Sequence, residues 1–273
     1  MKGKTPHIKP EKGFRAKQAL GQHFLNDKAL LEELVALSGI ECPDHVFEIG
    51  PGLGALTEAL AKKAGRVLAM EVDPQLIPVL RVTLHGLDHV EVIQGDIMGD
   101  GLEELLLPLG PFKIAANLPY YITTPIMNRL LRLELPIRSI NVMVQKEAAE
   151  HLIARPSTPA YGPLALLAQY KSEPRIVKII GSEAFTPPPK CDSAFVTMPM
   201  RETPPVQADE KKLFSLIDAA FRMRRKTLVN NLMPVYSLSR SQAEELVQKA
   251  GLPAGVRGEA LSLEEFAALT NLL

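Results

Sequence analysis

Short apolar runs alternate with amphipathic segments along the first half of the chain, and few folds tolerate that grammar. Residues 46–49, 66–71, 90–94, 112–116 and 140–145 read as buried strands. Between them, 56–64, 75–84, 102–107 and 124–133 carry apolar residues at helical spacing. Ahead of them, 27–39 does the same, with Leu30, Leu31, Leu34, Val35 and Leu37 before Gly39. Such alternation means parallel strands joined by crossover helices, so the expected class is α/β, a Rossmann-like sheet with helices on both faces. Helices at 146–154 and 162–169 continue the pattern. Two further runs, 175–180 and 193–198, flank the proline-rich 185–190 and are expected to pair antiparallel at the sheet edge.

From 199 to 209 the chain is rich in proline and polar residues and reads as a linker. Beyond it 211–223, 227–232, 242–250 and 263–272 are all helical. The expected organisation is a basic arm at 1–26, an α/β domain at 27–200 and a small all-helical domain at 208–273. No repeat or low-complexity tract interrupts it.

With 273 residues there is material for one large domain or a large and a small one. No apolar run approaches a membrane span, and the first residues lack the apolar core of a secretory signal. Cys42 and Cys191 are too few for a disulfide framework or a zinc site, and His7, His85, His89 and His151 show no ligand spacing. We expect no metal and a cytoplasmic location. Formal net charge is zero, but its distribution is uneven. Lys2, Lys4, Lys9, Lys12, Arg15 and Lys17 face only Glu11 in the first 20 residues, and Arg222, Arg224, Arg225 and Lys226 form a second basic cluster. Each cluster fits either a solvated face or a phosphate-docking face on a neutral protein. Lys146, at a helix start beside Glu147, reads as a surface pair.

Glu48-Ile49-Gly50-Pro51-Gly52-Leu53-Gly54 falls between the first strand and its helix. Glycines there let the backbone turn sharply and approach a ligand beside a helix N-terminus. Glu71 ends the second strand, where an acid can grip a ribose diol, and Asp96 follows the third, placed to accept from an adenine amino group. Gly50-Pro51-Gly52-Leu53-Gly54-Ala55 also satisfies the loose dinucleotide fingerprint, so a nicotinamide cofactor competes. Glu48 two residues before the first glycine, the Gly50-x-Gly52-x-Gly54 spacing and the acid after strand three favour S-adenosyl-L-methionine.

A second constellation follows the fourth strand: Asn117-Leu118-Pro119-Tyr120. The Asn117 amide oxygen and the Leu118 carbonyl can each accept one hydrogen of an –NH2 group on a planar ring. Pro119 offers no competing N–H, and Tyr120 offers a face to stack on. An ordinary strand-to-helix turn is the bland alternative.

Gly21-Gln22-His23-Phe24-Leu25-Asn26-Asp27, Glu48 to Gly54, Glu71-Val72-Asp73, Gly95-Asp96, Asn117 to Tyr120, Gln145-Lys146-Glu147, Phe185-Thr186-Pro187-Pro188-Pro189-Lys190 with Asp192-Ser193-Ala194, and the Phe221 to Leu228 segment stand in order and spacing. Together they resemble the ribosomal RNA adenine N6,N6-dimethyltransferases over nearly the whole chain. The resemblance implies a class I methyltransferase sheet, mostly parallel with an antiparallel edge strand, and a helical C-terminal domain. Phe221 followed by Arg224-Arg225-Lys226-Thr227-Leu228 resembles the branch that dimethylates two adjacent adenosines near the 3′ end of 16S rRNA in the immature 30S subunit. The 23S rRNA branch, linked to macrolide resistance, is the alternative.

Carried onto this chain, the resemblance implies S-adenosyl-L-methionine held by His23, Leu25, Gly50, Gly52, Glu71, Asp96, Ile97 and Asn117. It implies a target adenine polarised by Asn117 and Leu118, beside Pro119, and sandwiched between Tyr120 and Phe185. RNA contacts are expected from Lys146, Arg222, Arg224, Arg225 and Lys226. His23 stands where many members have asparagine, and Cys191 where valine is common; Cys191 reads as packing. A monomer with a part in small-subunit assembly is expected. The nicotinamide alternative finds no hydride-transfer residue near Asn117.

Overall fold

The computed structural model describes residues 23–25 and 27–273. The basic arm up to Gln22, and Asn26, lie outside them. Nine strands and eleven α-helices follow in chain order among the described residues. Strand β1 (Phe24–Leu25) precedes α1 (Lys28–Leu37), β2 (His45–Ile49), α2 (Ala55–Ala61), β3 (Arg66–Glu71), α3 (Ile77–Thr83) and β4 (Val90–Gln94). Then come α4 (Leu102–Leu106), β5 (Phe112–Asn117), α5 (Thr123–Leu130), β6 (Ile137–Gln145), α6 (Lys146–Ile153), α7 (Pro163–Lys171), β7 (Arg175–Ile180), β8 (Phe185–Thr186) and β9 (Ser193–Pro199). The rest is helical: α8 (Glu210–Phe221), α9 (Leu228–Tyr236), α10 (Arg240–Lys249) and α11 (Leu263–Thr270).

Seven strands form one sheet in the order β4-β3-β2-β5-β6-β9-β7. The pairs β2 with β3, β3 with β4, β2 with β5 and β5 with β6 are parallel; β9 runs antiparallel to both β6 and β7. The expected antiparallel strand is therefore one in from the edge, and β7 closes the sheet. From β2 the chain steps outward to β3 and β4, then returns to lay β5 on the other side of β2. That reversal makes β2 and β5 the switch point, where open α/β sheets bind ligands beyond the strand C-termini.

Alternation along the strands assigns the faces. Val46, Val67, Ala115, Met143 and Phe195 pack under α1 and α2 with Leu31, Leu34, Val35 and Leu60. On the other face Phe47, Ile49, Leu68, Met70, Ile114 and Ile140 pack against Ile126, Met127, Leu130, Leu152 and Leu166. Each such side chain removed from water contributes about 1.5–3 kcal/mol before entropy is counted. Asp27 starts α1, its Oδ1 accepting from the backbone of Ala29 and Leu30 at 3.0 and 3.1 Å.

The apolar core of the second face runs on without a break into the helical segment, taking in Leu213, Leu216, Ile217, Leu232 and Phe266. Tyr161 is buried and donates its hydroxyl to the Leu261 carbonyl at 2.7 Å. Tyr170 meets Phe214 edge-on, and Lys171 pairs with Glu210 at 2.5 Å. The arm expected at 1–26 does not end as a free tail: Phe24 and Leu25 pair antiparallel with Thr186 and Phe185.

Candidate active site

Glu48, Glu71 and Asn117 stand at the C-terminal ends of neighbouring strands and, by alternation, on the α1/α2 face of the sheet. They line one cavity with His23, Leu25, Gly50, Gly52, Tyr120 and Tyr121, floored by Met143 and Phe195. The glycine loop shapes one wall. Gly52 has φ +58°, and a Cβ there would meet the Phe24 ring at 3.0 Å. Gly54, at φ +91°, begins α2 and leaves no comfortable room for a side chain against Leu80 and Thr83.

Glu71 is braced by the loop it faces. Its Oε2 accepts from Gly52 N at 3.1 Å and its Oε1 from Asp73 N at 2.9 Å. Burial raises its carboxyl above the ordinary range in spite of those donors. Each oxygen keeps a further lone pair for a ligand hydroxyl.

Glu48 is only 1 % exposed, and neither carboxyl oxygen has a hydrogen-bond partner among the described residues. Burial, reinforced by the charge of Glu71, pushes it up to about 8. An orphaned buried carboxyl at a cavity wall is costly unless something positive meets it.

At the other strand end, Asn117 Nδ2 donates to the His23 carbonyl at 3.0 Å. Leu118 N donates to the Met143 carbonyl at 3.0 Å, which pins the turn to β6. Pro119 accepts at its carbonyl from Ile122 N and Thr123 Oγ1. The Asn117 side-chain oxygen and the Leu118 carbonyl have no partner among the described residues. Tyr120 shares a 2.7 Å hydrogen bond with Ser193, and burial raises its phenol above the usual value. The site thus offers two acceptors beside an anchored aromatic face.

Several expected residues stand elsewhere. Phe185 does not reach the cavity: 3 % exposed, it lies in the core with Leu25, Ile180 and Phe195, since its strand is paired with β1. His23, not Phe185, covers the Tyr120 ring. Asp96 is exposed outside the cavity, its Oδ1 accepting from Met98 N at 2.8 Å, and Ile97 is part of the core. Cys191 is exposed and takes a 3.2 Å contact from Gln145 Nε2, so packing is not its role.

Among the basic residues, Lys146 is exposed at the start of α6. Helix α8 ends at Phe221, so Arg222, Arg225 and Lys226 sit exposed in the turn beyond it, where cations also complement the helix dipole. Arg224, also exposed, pairs with Glu259 at 2.9 Å and donates to the Pro159 carbonyl at 2.7 Å. Ser193 and Tyr121 were missed; Ser193 reaches Tyr120 only through tertiary folding, while Tyr121, 61 % exposed beside Tyr120, was legible from adjacency alone. Among the described residues no group of three or more His, Cys, Asp or Glu could hold a metal.

Residues 13–273 match the family model described as ribosomal RNA adenine dimethylase. Proteins named ribosomal RNA small subunit methyltransferase A from Bacillus pumilus and Enterococcus faecalis are each 42 % identical over 99 % of this chain, covering 95 % and 94 % of their own lengths. A dimethyladenosine transferase from Plasmodium falciparum shares the fold, with TM-score 0.75 at 22 % identity over 90 % of this chain and 96 % of its own. The 23S rRNA methyltransferase ErmE superimposes with TM-score 0.70 at 25 % identity, over 92 % of this chain and 99 % of its own. The chain belongs to the ribosomal RNA adenine dimethylase family.

Proposed function

We propose that this enzyme uses S-adenosyl-L-methionine to dimethylate N6 of two adjacent adenosines near the 3′ end of 16S rRNA, in the immature small subunit. The observation that carries the reading is Glu48, Glu71 and Asn117 on one sheet face at the β2/β5 switch point, beside the Tyr120 ring. Relatives at 42 % identity named for the small subunit support the choice of RNA.

The residues present fit the donor. The two unpartnered oxygens of buried Glu48 suit the ammonium of a methionyl group, and Glu71 suits ribose hydroxyls. Gly50 and Gly52 let the backbone approach, with Leu25 as an apolar neighbour. Asp96, beyond β4 on the same edge, would accept from the cofactor's adenine amino group. When bound, S-adenosyl-L-methionine supplies a methyl group already activated as a sulfonium substituent.

The chain's own contribution lies on the acceptor side. An adenine N6 lone pair is delocalised into the ring and is a poor nucleophile. Asn117 Oδ1 and the Leu118 carbonyl accept the two N6 hydrogens and localise the pair on nitrogen. Tyr120 stacks on the base and offsets part of the cost of taking it from its stack. A carboxamide is not basic at neutral pH, so Asn117 is no general base; the proton leaves to water after transfer. Lys146, Arg222, Arg225 and Lys226 would meet phosphates. We expect a cytoplasmic monomer that also assists small-subunit assembly.

The likeness to ErmE favours a second reading, 23S rRNA adenine methylation. Short RNA fragments from the 3′ end of 16S rRNA and from 23S rRNA, offered as methyl acceptors, separate the two. Transfer to the 16S fragment is expected; transfer to the 23S fragment alone would reverse the choice.

A further inference from the structure

Arg129, in the last turn of α5, holds the loop that carries Asp96. Its Nη1 donates to the Met98 carbonyl at 2.8 Å and its Nη2 to the Gly99 carbonyl. Those carbonyls belong to a tight turn built on Asp96. Gly99 N donates to the Asp96 carbonyl at 2.8 Å, and Met98 N to Asp96 Oδ1 at 2.8 Å. The arrangement is a costly one. Arg129 Nε is buried with no hydrogen-bond partner among the described residues, and the two bonds of the charge go to carbonyls, not to a carboxylate. A contact serving stability alone would do as well or better with an apolar side chain. What the guanidinium adds is geometry, since its planar fork fixes two successive carbonyls at once. Asp96 itself is exposed, and Ile97 is the only buried side chain between Gly95 and Gly101. Without Arg129 little else would hold the turn.

We propose that Arg129 is a positioning residue for the methyl donor: by fixing this turn it holds the Asp96 carboxylate ready for the donor's adenine amino group. This rests on the reading of Asp96 as the acceptor for that group. Oδ1 is occupied by the turn, which leaves Oδ2 for the ligand. A carboxylate already held in place loses little freedom on binding, so affinity for the adenine end rises. The same helix is tied at its start to the Asn117 turn, Thr123 Oγ1 donating to the Pro119 carbonyl at 3.0 Å. Donor and acceptor sides therefore share α5 as a support.

Arg129→Met removes the fork and keeps an apolar stem. Two probes, S-adenosyl-L-homocysteine and S-inosyl-L-homocysteine, differ in the amino group that Asp96 would read, which the second replaces with a carbonyl. By calorimetry the wild-type enzyme should bind the first about tenfold or more tighter, the range of one hydrogen bond to a charged group. In Arg129→Met that preference should shrink to about twofold or less. The KM for S-adenosyl-L-methionine should rise roughly tenfold while kcat at saturating donor changes less than about twofold. A preference that survives in the variant, with both affinities intact or both lowered alike, overturns the proposal, because a merely structural contact would act on both probes equally. Should Arg129→Met not fold, Arg129→Gln, too short to span both carbonyls, carries the same test with the same outcomes. Wild-type enzyme that binds both probes equally would overturn the reading of Asp96 and this proposal with it, and enzyme that binds neither would overturn the donor itself.

Discussion

Asn117 Nδ2 donates to the backbone carbonyl of His23, 94 residues earlier in the chain. A carbonyl can only accept, so this bond decides which way the Asn117 amide faces: the nitrogen is taken, and the oxygen is left for the cavity. The acceptor that polarises the amine is thus oriented by the residue just before β1.

Replacing Asn117 with alanine removes that acceptor. We expect kcat for methyl transfer to fall about 10²–10³-fold, the usual effect of deleting one aligned polar group at a reacting centre. Steady-state kinetics checks the value, and circular dichroism checks that the fold is kept. Because no general base is invoked, wild-type kcat at saturating substrates should be flat between pH 7 and 9; a slope of one over that range would mean an essential base.

Tyr120 separates stacking from anchoring. Tyr120→Phe keeps the face and loses the bond to Ser193, so kcat/KM should fall roughly tenfold or less. Tyr120→Ala loses both and should fall on the order of a hundredfold or more. Equal losses in the two variants would show that the hydroxyl, not the ring, matters.

Glu48 predicts a pH signature. Its folded carboxyl titrates at about 8 against an ordinary value of 4.5, so the free folded protein holds a proton that the unfolded chain has lost. The contribution of Glu48 to stability is therefore most favourable below the unfolded value and declines as pH rises through about 8. A cationic ligand pairing with Glu48 must expel that proton. Cofactor affinity should rise from pH 6 to 8 and level off above, with close to one proton released per cofactor near pH 7. Calorimetry in buffers of different ionisation enthalpy measures the release, and Glu48→Gln should abolish it.

Tyr161 ties the α/β sheet's helices to the C-terminal helices through its bond to the Leu261 carbonyl. Tyr161→Phe leaves a buried carbonyl unpaired and should cost about 1–3 kcal/mol in urea unfolding. A change in the midpoint with an unchanged slope would mean that the two parts unfold together, as their continuous core suggests.

The sheet was legible because its signal is local. Strands such as Phe112–Asn117 are short, mostly apolar runs ending in a polar residue, and glycines mark the turns after β2 and β4. The nearness of Glu48, Glu71 and Asn117 followed from topology, since each ends a parallel strand near one switch point. What escaped notice depends on tertiary pairing. The two-residue strands β1 and β8 carry no periodicity, so nothing in the sequence says that Leu25 aligns with Phe185 and buries it. Likewise the spacing of Arg222 to Lys226 could not reveal that Glu259 neutralises Arg224. Asp96 stands after its strand as expected, but it is exposed and does not line the cavity.

The most direct test is methyl transfer from labelled S-adenosyl-L-methionine to under-methylated 30S particles, with 50S particles alongside, followed by digestion of the RNA to nucleosides. N6,N6-dimethyladenosine in 30S RNA and none in 50S RNA is the predicted result. Label in 50S RNA alone, or no dimethyladenosine despite cofactor binding, would contradict it.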